Sequence, residues 1–257
     1  IRTLLAELGD PQTQYLKVQV AGTNGKGSVC AFLDSICREA GIRTGLYTSP
    51  HLVSITERIK INGVDVSEDD FARLATRVRE TAERLVAEGK LEYTPTYFEQ
   101  VTVIGLLAFA EARVELAILE TGLGGRLDAA TAANAEIAAI TRIDLDHQEY
   151  LGNTIEEIAA EKAAIIGSHT RAAVIGPQDE RAMSVVDARI RDAKLTDGTT
   201  ILVGRDVAAL LPLDLPHDWL GLRGKHQVEN AQIAVGIAQA LGDRFTISDD
   251  AIRQGLA

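Results

Sequence analysis

Seven residues with the sequence Gly-Thr-Asn-Gly-Lys-Gly-Ser, at positions 22–28, constrain the fold of this chain more than any other segment. The apolar run Val18 to Ala21 precedes them, and helical sequence follows from Val29. A strand, a glycine-rich turn and a helix N-terminus together aim backbone N–H groups at an anion. The segment therefore predicts a nucleotide triphosphate site formed by Thr23, Asn24, Gly25, Lys26, Gly27 and Ser28, with Lys26 supplying a charge for the outer phosphates.

The spacing of this phosphate loop differs from the standard pattern Gly-x-x-x-x-Gly-Lys-Ser/Thr. Val20 stands where the first glycine would be, and Gly27 stands where the metal-binding hydroxyl would be, with Ser28 one place later. The alternative interpretation is a glycine turn that only starts a helix. Lys26 and the order strand, loop, helix favour the nucleotide site.

The rest of the chain alternates between strand-like and helical patterns, which is the order of a parallel sheet covered by helices. The sequence predicts an α/β fold with a mostly parallel sheet flanked by helices. Strands are predicted at Tyr15 to Ala21, Arg43 to Tyr47, Val114 to Glu120, Ala135 to Thr141 and Ala172 to Gly176. Helices are predicted at Gly25 to Ala40, Ser67 to Glu88, Tyr97 to Ala112, Thr154 to Ile166 and Ser248 to Leu256, and around Asn230 as far as Leu241. The pair Asn62-Gly63 predicts a tight hairpin turn that interrupts this alternation of strands and helices.

Composition narrows the class of protein. The 257 residues include 46% apolar residues and carry a net charge of −11, which exclude a disordered chain and disfavour attraction to nucleic acid or anionic lipid. Cys30 and Cys37 lie two helical turns apart, too far for a disulfide. No apolar run reaches the roughly 18 residues of a membrane span, and no signal-peptide pattern is present, so we expect a cytoplasmic protein. The chain lacks an initiator Met and stops within a predicted helix, so we expect a piece of a longer protein.

Polar residues directly follow several of the predicted strands, where side chains reach the ligand crevice of a parallel sheet. Glu120 closes an apolar strand, and a buried carboxylate must be solvated, paired or bound to metal. Ser49 follows the second strand, and an ordinary hydroxyl in a turn is the plainer interpretation of it. His147 follows another apolar strand, and from chemistry alone a structural and a ligand role are equally supported.

Five strings, in this order along the chain, resemble the ATP-dependent amide ligases of the Mur ligase superfamily, in the branch of folylpolyglutamate synthase and dihydrofolate synthase. These strings are Gly22 to Ser28, Thr48-Ser49-Pro50-His51, Glu120-Thr121-Gly122-Leu123-Gly124-Gly125-Arg126-Leu127-Asp128, Asp144-Leu145-Asp146-His147 and Glu161-Lys162-Ala163. Thr96-Tyr97-Phe98-Glu99 and the segment around Asn230 are similar to further motifs of that branch. The resemblance implies the P-loop NTPase-like fold of the Mur ligase central domain.

The resemblance also implies roles for individual residues. Lys26, His147 and Lys162 are implied to be catalytic, and two Mg²⁺ ions are implied on Ser49, Glu120 and His147. Lys162 matches a lysine that is carbamylated in related ligases, whereas its plainer interpretation is a surface lysine beside Glu161. Asn230 is implied to contact adenine, although by itself it is a polar residue in an amphipathic helix. A folate or pteroate substrate is implied at Thr96, Phe98, Arg126 and Asp128. Without the resemblance, the sequence favours a helix cap at Thr96 followed by a core aromatic at Phe98.

By this resemblance, residues 1–257 are an ATP-binding central domain, largely complete, and a smaller carboxyl-terminal α/β ligase domain is expected to be absent from the chain. The implied reaction adds L-glutamate to a folate or dihydropteroate carboxylate through an acyl phosphate, within folate biosynthesis and one-carbon metabolism. The expected partners are ATP, glutamate and the folate substrate, with no nucleic acid and no membrane, and the expected state is a monomer. The alternatives are another Mur-type amino-acid ligase and a nucleotide-binding module without catalysis.

Overall fold

A computed structural model describes residues 1–195, 198–209 and 219–257 of the chain. The strands are β1 (Leu16–Ala21), β2 (Thr44–Tyr47), β3 (Ile59–Ile61), β4 (Val64–Asp65), β5 (Leu116–Glu120), β6 (Ile137–Ile140), β7 (Ala172–Ile175) and β8 (Thr200–Val203). The helices are α1 (Arg2–Glu7), α2 (Lys26–Glu39), α3 (Glu68–Ala87), α4 (Tyr97–Glu111), α5 (Gln148–Leu151), α6 (Ile155–Ala163), α7 (Glu180–Asp192), α8 (Arg205–Ala208), α9 (His226–Ala240) and α10 (Asp249–Leu256). No helix of these described ranges is long and apolar enough to cross a membrane.

The eight strands form one sheet in the order β4-β3-β2-β5-β1-β6-β7-β8. The six strands from β2 to β8 in this order pair in parallel, and β3 and β4 form an antiparallel edge. The turn between β3 and β4 contains Asn62 and Gly63, both at positive φ, as a tight hairpin requires. The mostly parallel α/β sheet predicted from the sequence is confirmed.

Side chains on β1 show how the core is divided between the two faces of the sheet. Val18 and Val20 enter a cluster with the apolar sides of α2 and α9, while Ala21 enters a cluster with α6. A third cluster lies under α3 and α4 and contains Leu119 of β5. Both faces are therefore covered, which explains why the central strands are almost continuously apolar.

The end of one helix and one strand differ from the sequence prediction. Helix α6 ends at Ala163, three residues before the predicted end, because the chain tightens there: the Ile166 N–H donates to the Ala163 carbonyl. Strand β8 was not predicted, although Ile201-Leu202-Val203 is a short apolar run; its residues are half-exposed. Neither difference moves a residue of the predicted site.

The parallel arrangement brings five loops to one edge of the sheet. The carboxyl ends of β1, β2, β5, β6 and β7 lead into residues 22–25, 48–54, 121–128, 141–147 and 176–179. These are the loops that contain most of the residues singled out in the sequence, so the fold places them at the crevice where ligands of such sheets bind.

Candidate active site

The phosphate loop places the N-terminus of α2 at the edge of the sheet. Gly25 precedes the helix with φ +89°, and no side chain in the described part of the chain caps this N-terminus. By contrast, Ser67, Thr96 and Thr154 cap α3, α4 and α6. The first N–H groups of a helix have no partner within it, so those of α2 remain for an anion.

The ammonium groups of two lysines meet at the phosphate loop. Lys26 Nζ donates to the carbonyl oxygens of Gly22, at 3.0 Å, and Thr23, at 3.1 Å. Lys162 Nζ, on α6, donates to the same Gly22 oxygen at 2.9 Å. Lys162 is 3% exposed, and burial, helped by the charge of Lys26, lowers its pKa to about 8 while Asp146 opposes the shift. Lys162 is therefore a core residue rather than a surface lysine.

Glu120 closes β5 as a buried carboxylate beside this loop. Its Oε2 accepts a hydrogen bond from the Ser49 N–H at 3.0 Å, and a Cβ added to Gly27 would lie 3.4 Å from Oε1. Burial raises the pKa of Glu120, against the opposing effects of the Ser49 N–H, Lys26 and Arg58. The carboxylate therefore lies between the Ser49 loop and the start of α2.

Arg58 holds the Ser49 loop through two side-chain hydrogen bonds. This buried guanidinium donates from Nη1 to Ser49 Oγ at 3.0 Å and from Nε to His51 Nδ1 at 2.8 Å. Glu57, next to it, accepts backbone N–H groups from Leu52, Val53 and Ser54. The sequence analysis did not single out either residue, and the only available signal was their charge immediately before a short apolar strand.

His147 lies at the outer side of the site. Its side chain is 53% exposed, its Nε2 lies 3.6 Å from Asp146 Oδ2, and its backbone is in the left-handed region at φ +48°. Within the described ranges no contact joins His147 to Ser49 or Glu120, although Asp146 is near enough to Lys162 to affect its pKa. The structure thus brings Lys26, Ser49, Glu120 and Lys162 together more closely than His147.

A cavity of about 740 Å³ opens beside Ser49. The four predicted substrate residues, Thr96, Phe98, Arg126 and Asp128, line this cavity. Tyr150 and Glu161 line it as well. Ser49 also contacts Glu120, and Glu120 lies beside Gly27, so one end of this cavity approaches the phosphate loop. A small molecule bound here would have one end near the place where a nucleotide's phosphates would lie.

The four cavity residues also have structural partners. Asp128 accepts the N–H groups of Gly122, Leu123 and Ala130, and burial nevertheless raises its pKa. Thr96 caps α4. Arg126 Nε donates to Glu161 Oε1 at 2.8 Å. Phe98 packs so closely on Gly122 that a Cβ there would lie 2.5 Å from its ring. These contacts fix the positions of the four side chains in the cavity wall.

Asn230 is buried on α9 and reaches the opposite side of the phosphate loop. Its Nδ2 donates to Gln227 Oε1 at 2.9 Å, and its Oδ1 lies where a Cβ on Gly25 would be. Residue 25 must therefore be glycine both for its positive φ and for this close approach. The adenine contact predicted for Asn230 stays a prediction.

The resemblance implies Mg²⁺, and the oxygen atoms near the phosphate loop are its candidate ligands. No group of three or more His, Cys, Asp and Glu side chains in the described ranges is arranged to hold a metal ion by itself. Magnesium in nucleotide sites commonly uses one or two protein oxygens together with phosphate and water. Glu120, between Ser49 and Gly27, fits such a shared site, so the residues present are compatible with Mg²⁺ bound jointly with a nucleotide.

Comparison with known proteins identifies the family. The family described as "Mur ligase middle domain" matches residues 20–238. The chain belongs to the Mur ligase family.

Named relatives place the chain within this family. A probable bifunctional folylpolyglutamate synthase/dihydropteroate synthase of Halobacterium salinarum is 38% identical over 98% of this chain and 32% of its own length. A dihydrofolate synthase/folylpolyglutamate synthase of Bacillus subtilis is 35% identical over 100% of this chain and 62% of its own length. The resemblance to the folylpolyglutamate and dihydrofolate synthase branch is therefore confirmed, and the chain spans about one third and three fifths of these two relatives.

A solved structure agrees with the assignment. The folylpolyglutamate synthase of Mycobacterium tuberculosis, complexed with ADP and AMPPCP, is 33% identical and superposes with a TM-score of 0.87, over 100% of this chain and 62% of that one. The Mur ligase fold predicted from the five strings is confirmed.

Proposed function

We propose that the chain is the nucleotide-binding part of an ATP-dependent carboxylate–amine ligase that adds L-glutamate to a folate or dihydropteroate carboxylate. The observation that carries this proposal is the 740 Å³ cavity beside Ser49, which adjoins a phosphate loop in a chain similar to folylpolyglutamate synthases along its whole length. Such a ligase must bring a carboxylate and a triphosphate together, and two adjoining sites of this kind would support that arrangement.

ATP binding is proposed at residues 23–28, with Asn230 towards the adenine. The free N–H groups at the start of α2 and the charge of Lys26 support phosphate binding. Gly25 and Asn230 are in contact, so phosphate and base would be held by one continuous surface. Similarity to a structure complexed with ADP and AMPPCP supports the same assignment.

Magnesium is proposed on Glu120 and Ser49, with His147 at the outer side and the remaining positions filled by phosphate oxygens and water. Bound there, the ion would neutralise charge on the phosphates. The buried position of Glu120 supports this role, because an ionised carboxylate with little access to water benefits from a neighbouring cation.

The proposed reaction has two steps. An oxygen of the substrate carboxylate attacks the γ-phosphorus in line, a new P–O bond forms, the bond to the β-phosphate oxygen breaks, and ADP leaves. The amine of glutamate then attacks the acyl carbon, phosphate departs with the C–O electron pair, and the amine loses a proton to form the amide. Lys26 stabilises the negative charge that spreads over the transferring phosphoryl group.

Carbamylation of Lys162 is proposed as a modification of the active protein. The neutral amine attacks CO₂, a C–N bond forms, and one N–H proton is released to solvent. A pKa of about 8 leaves a useful fraction of neutral amine near neutral pH, and Lys26 lies close enough to pair with the resulting anion.

Substrate binding is proposed in the cavity, with Phe98 stacking on an aromatic ring and Thr96, Arg126 and Asp128 offering polar contacts. The adjoining phosphate loop supports this orientation, since the carboxylate end of the substrate must reach it. We propose the chain as an ATP-binding central domain that acts as a cytoplasmic monomer; the complete reaction belongs to the proposal.

Phosphate release with two acceptors tests this function. Dihydropteroate and tetrahydrofolate, each with and without glutamate, are supplied with MgATP, and phosphate is measured. Release that requires both an acceptor and glutamate supports the proposal, and the better acceptor identifies the substrate. Release with a different amino acid or acceptor would indicate another Mur-type ligase. ATP binding without any acceptor-dependent release would indicate a binding module without catalysis.

A further inference from the structure

Gln178 lies just beyond β7, two residues after Gly176, and its side chain reaches across to the loop that follows β6. The amide Nε2 donates to the Thr141 carbonyl at 2.8 Å, and Oε1 accepts the Ile143 N–H at 3.0 Å. The last backbone hydrogen bond between the strands β6 and β7 runs from the Gly176 N–H to the Ile140 carbonyl. The side chain therefore extends the pairing of β6 and β7 beyond the point where their backbones separate.

The loop held by Gln178 in turn holds the phosphate loop. The Thr23 N–H donates to the Arg142 carbonyl at 2.8 Å, and Thr23 Oγ1 exchanges two hydrogen bonds of 3.0 Å with the backbone of Asp144. Thr141 Oγ1 donates to the Asn24 carbonyl at 2.7 Å. The Asn24 N–H also donates to the Arg142 carbonyl at 3.4 Å, so five hydrogen bonds connect residues 141–144 with residues 23 and 24.

These bonds fix which way the peptide groups of the phosphate loop point. A carbonyl turned towards a phosphate would repel it, whereas N–H groups attract it. Thr141 Oγ1 and the two lysines hold the carbonyls of Asn24 and Gly22. Gly22 also packs directly on Thr141, since a Cβ at position 22 would overlap Thr141 Oγ1. A shift of residues 141–144 would consequently shift the phosphate loop.

We propose that Gln178 is a positioning residue for the nucleotide site: it locks residues 141–144, and through them it holds the phosphate loop in its anion-binding form. The inference rests on the proposed ATP site. Gln178 itself needs no contact with the nucleotide, and its effect is transmitted by the hydrogen bonds of Thr141, Arg142 and Asp144.

The test compares ATP affinity, measured by calorimetry on the 257-residue chain, among single and double variants. Gln178→Ala removes both hydrogen bonds, and Gln178→Glu keeps the shape and the acceptor but loses the donor. We expect each to weaken ATP binding about tenfold, the effect of losing one or two buried hydrogen bonds. Gln100→Ala is the matched control, because Gln100 also donates to a backbone carbonyl, that of Pro95, but on α4; we expect a change of less than about twofold.

A double-mutant cycle with Thr141→Val separates positioning from general loss of stability. Thr141 carries one of the bonds through which Gln178 acts, so the double variant should lose less ATP affinity than the product of the two single losses. The effects of Gln100→Ala and Thr141→Val should multiply. Thr141→Ser retains the hydroxyl and should bind like the wild type. ATP affinity of Gln178→Ala within twofold of the wild type, or multiplying effects with Thr141→Val, would overturn the inference. Failure of the wild type to bind ATP would overturn the proposed site and the inference together.

Discussion

Two ammonium groups donate to one carbonyl oxygen in this molecule, that of Gly22. The ammonium group of Lys162 is removed from water, and the positive charges of Lys162 and Lys26, which share this oxygen, repel each other. At neutral pH the protonated Lys162 consequently lowers the stability of the folded chain. Neutralising its charge, by substitution or by forming an anion there, removes this repulsion.

Lys162→Met should therefore stabilise the chain at neutral pH. The pKa of Lys162 is about 8 in the folded chain and about 10.4 when unfolded, so the unfolded state binds more protons between these values and stability of the wild type rises with pH through that window. We expect the variant to exceed the wild-type free energy of unfolding by on the order of 2 kcal/mol at pH 7, allowing for the lost hydrogen bond to Gly22.

The measurement is urea unfolding in CO₂-free buffer from pH 7 to 10.5. The advantage of Lys162→Met should shrink steadily above pH 8 and disappear near pH 10.5. An advantage that is absent at pH 7, or that grows with pH, would show that Lys162 is not held as a buried cation.

The start of α2 is defined by two elements that are far apart in sequence. Gly25 ends the phosphate loop, and α9 presents Asn230 against it. Among the described residues no side chain caps this N-terminus, whereas Ser67 and Thr154 cap α3 and α6.

Gly25→Ala should disrupt this junction. The new methyl group would overlap Asn230 Oδ1 and would occupy a backbone conformation that disfavours a Cβ. We expect a loss of stability of about 2 kcal/mol in urea unfolding and loss of measurable ATP binding by calorimetry. In an Asn230→Ala background the overlap is relieved, so the stability loss should fall by about half; an equal loss in both backgrounds would contradict the contact.

The sequence predicted elements well where they lie in the core. Apolar runs located β1, β2, β5, β6 and β7, and the Asn62-Gly63 pair located the hairpin, because burial and turn geometry leave local signals. Strand β8 was missed although Ile201-Leu202-Val203 is apolar, because so short an apolar run does not by periodicity alone distinguish a strand from a helix. The end of α6 also could not be predicted, because Arg189 of α7 binds the carbonyls of Ala164 and Ile166 beyond it.

The two ends of the sheet contain different kinds of polar group. The carboxyl ends contain the phosphate loop, Glu120 and the cavity. At the amino ends Lys17, buried at the start of β1, pairs with Glu136 at 3.0 Å and donates to the Tyr15 carbonyl. One end therefore contains the groups proposed for chemistry, and the other contains an ion pair that connects neighbouring strands.

Several predicted site residues lie together because parallel strands deliver their ends to one edge of the sheet, which the sequence order alone implies. Lys26, Glu120 and Ser49 follow this rule. Arg58 and Gln178 could not be found in this way, because each acts on the backbone or side chains of another loop and depends on which strands are neighbours. The partnership of Arg126 with Glu161 similarly requires the position of α6.

Substitutions at the two ends of the sheet should therefore have opposite effects. Lys17→Met breaks the ion pair and leaves Glu136 without its cation, so we expect a loss of about 2 kcal/mol in unfolding free energy with ATP affinity within twofold of the wild type.

Burial raises the pKa of Glu120, so the folded state binds more protons than the unfolded one, and stability falls as pH rises through that range. Glu120→Gln removes this penalty: its unfolding midpoint in urea at pH 7 should rise, while Mg²⁺-dependent tightening of ATP binding is lost. Reduced stability of Glu120→Gln with intact Mg²⁺ dependence would assign Glu120 to the core rather than to the site, and would remove the stability–function contrast between the two ends of the sheet.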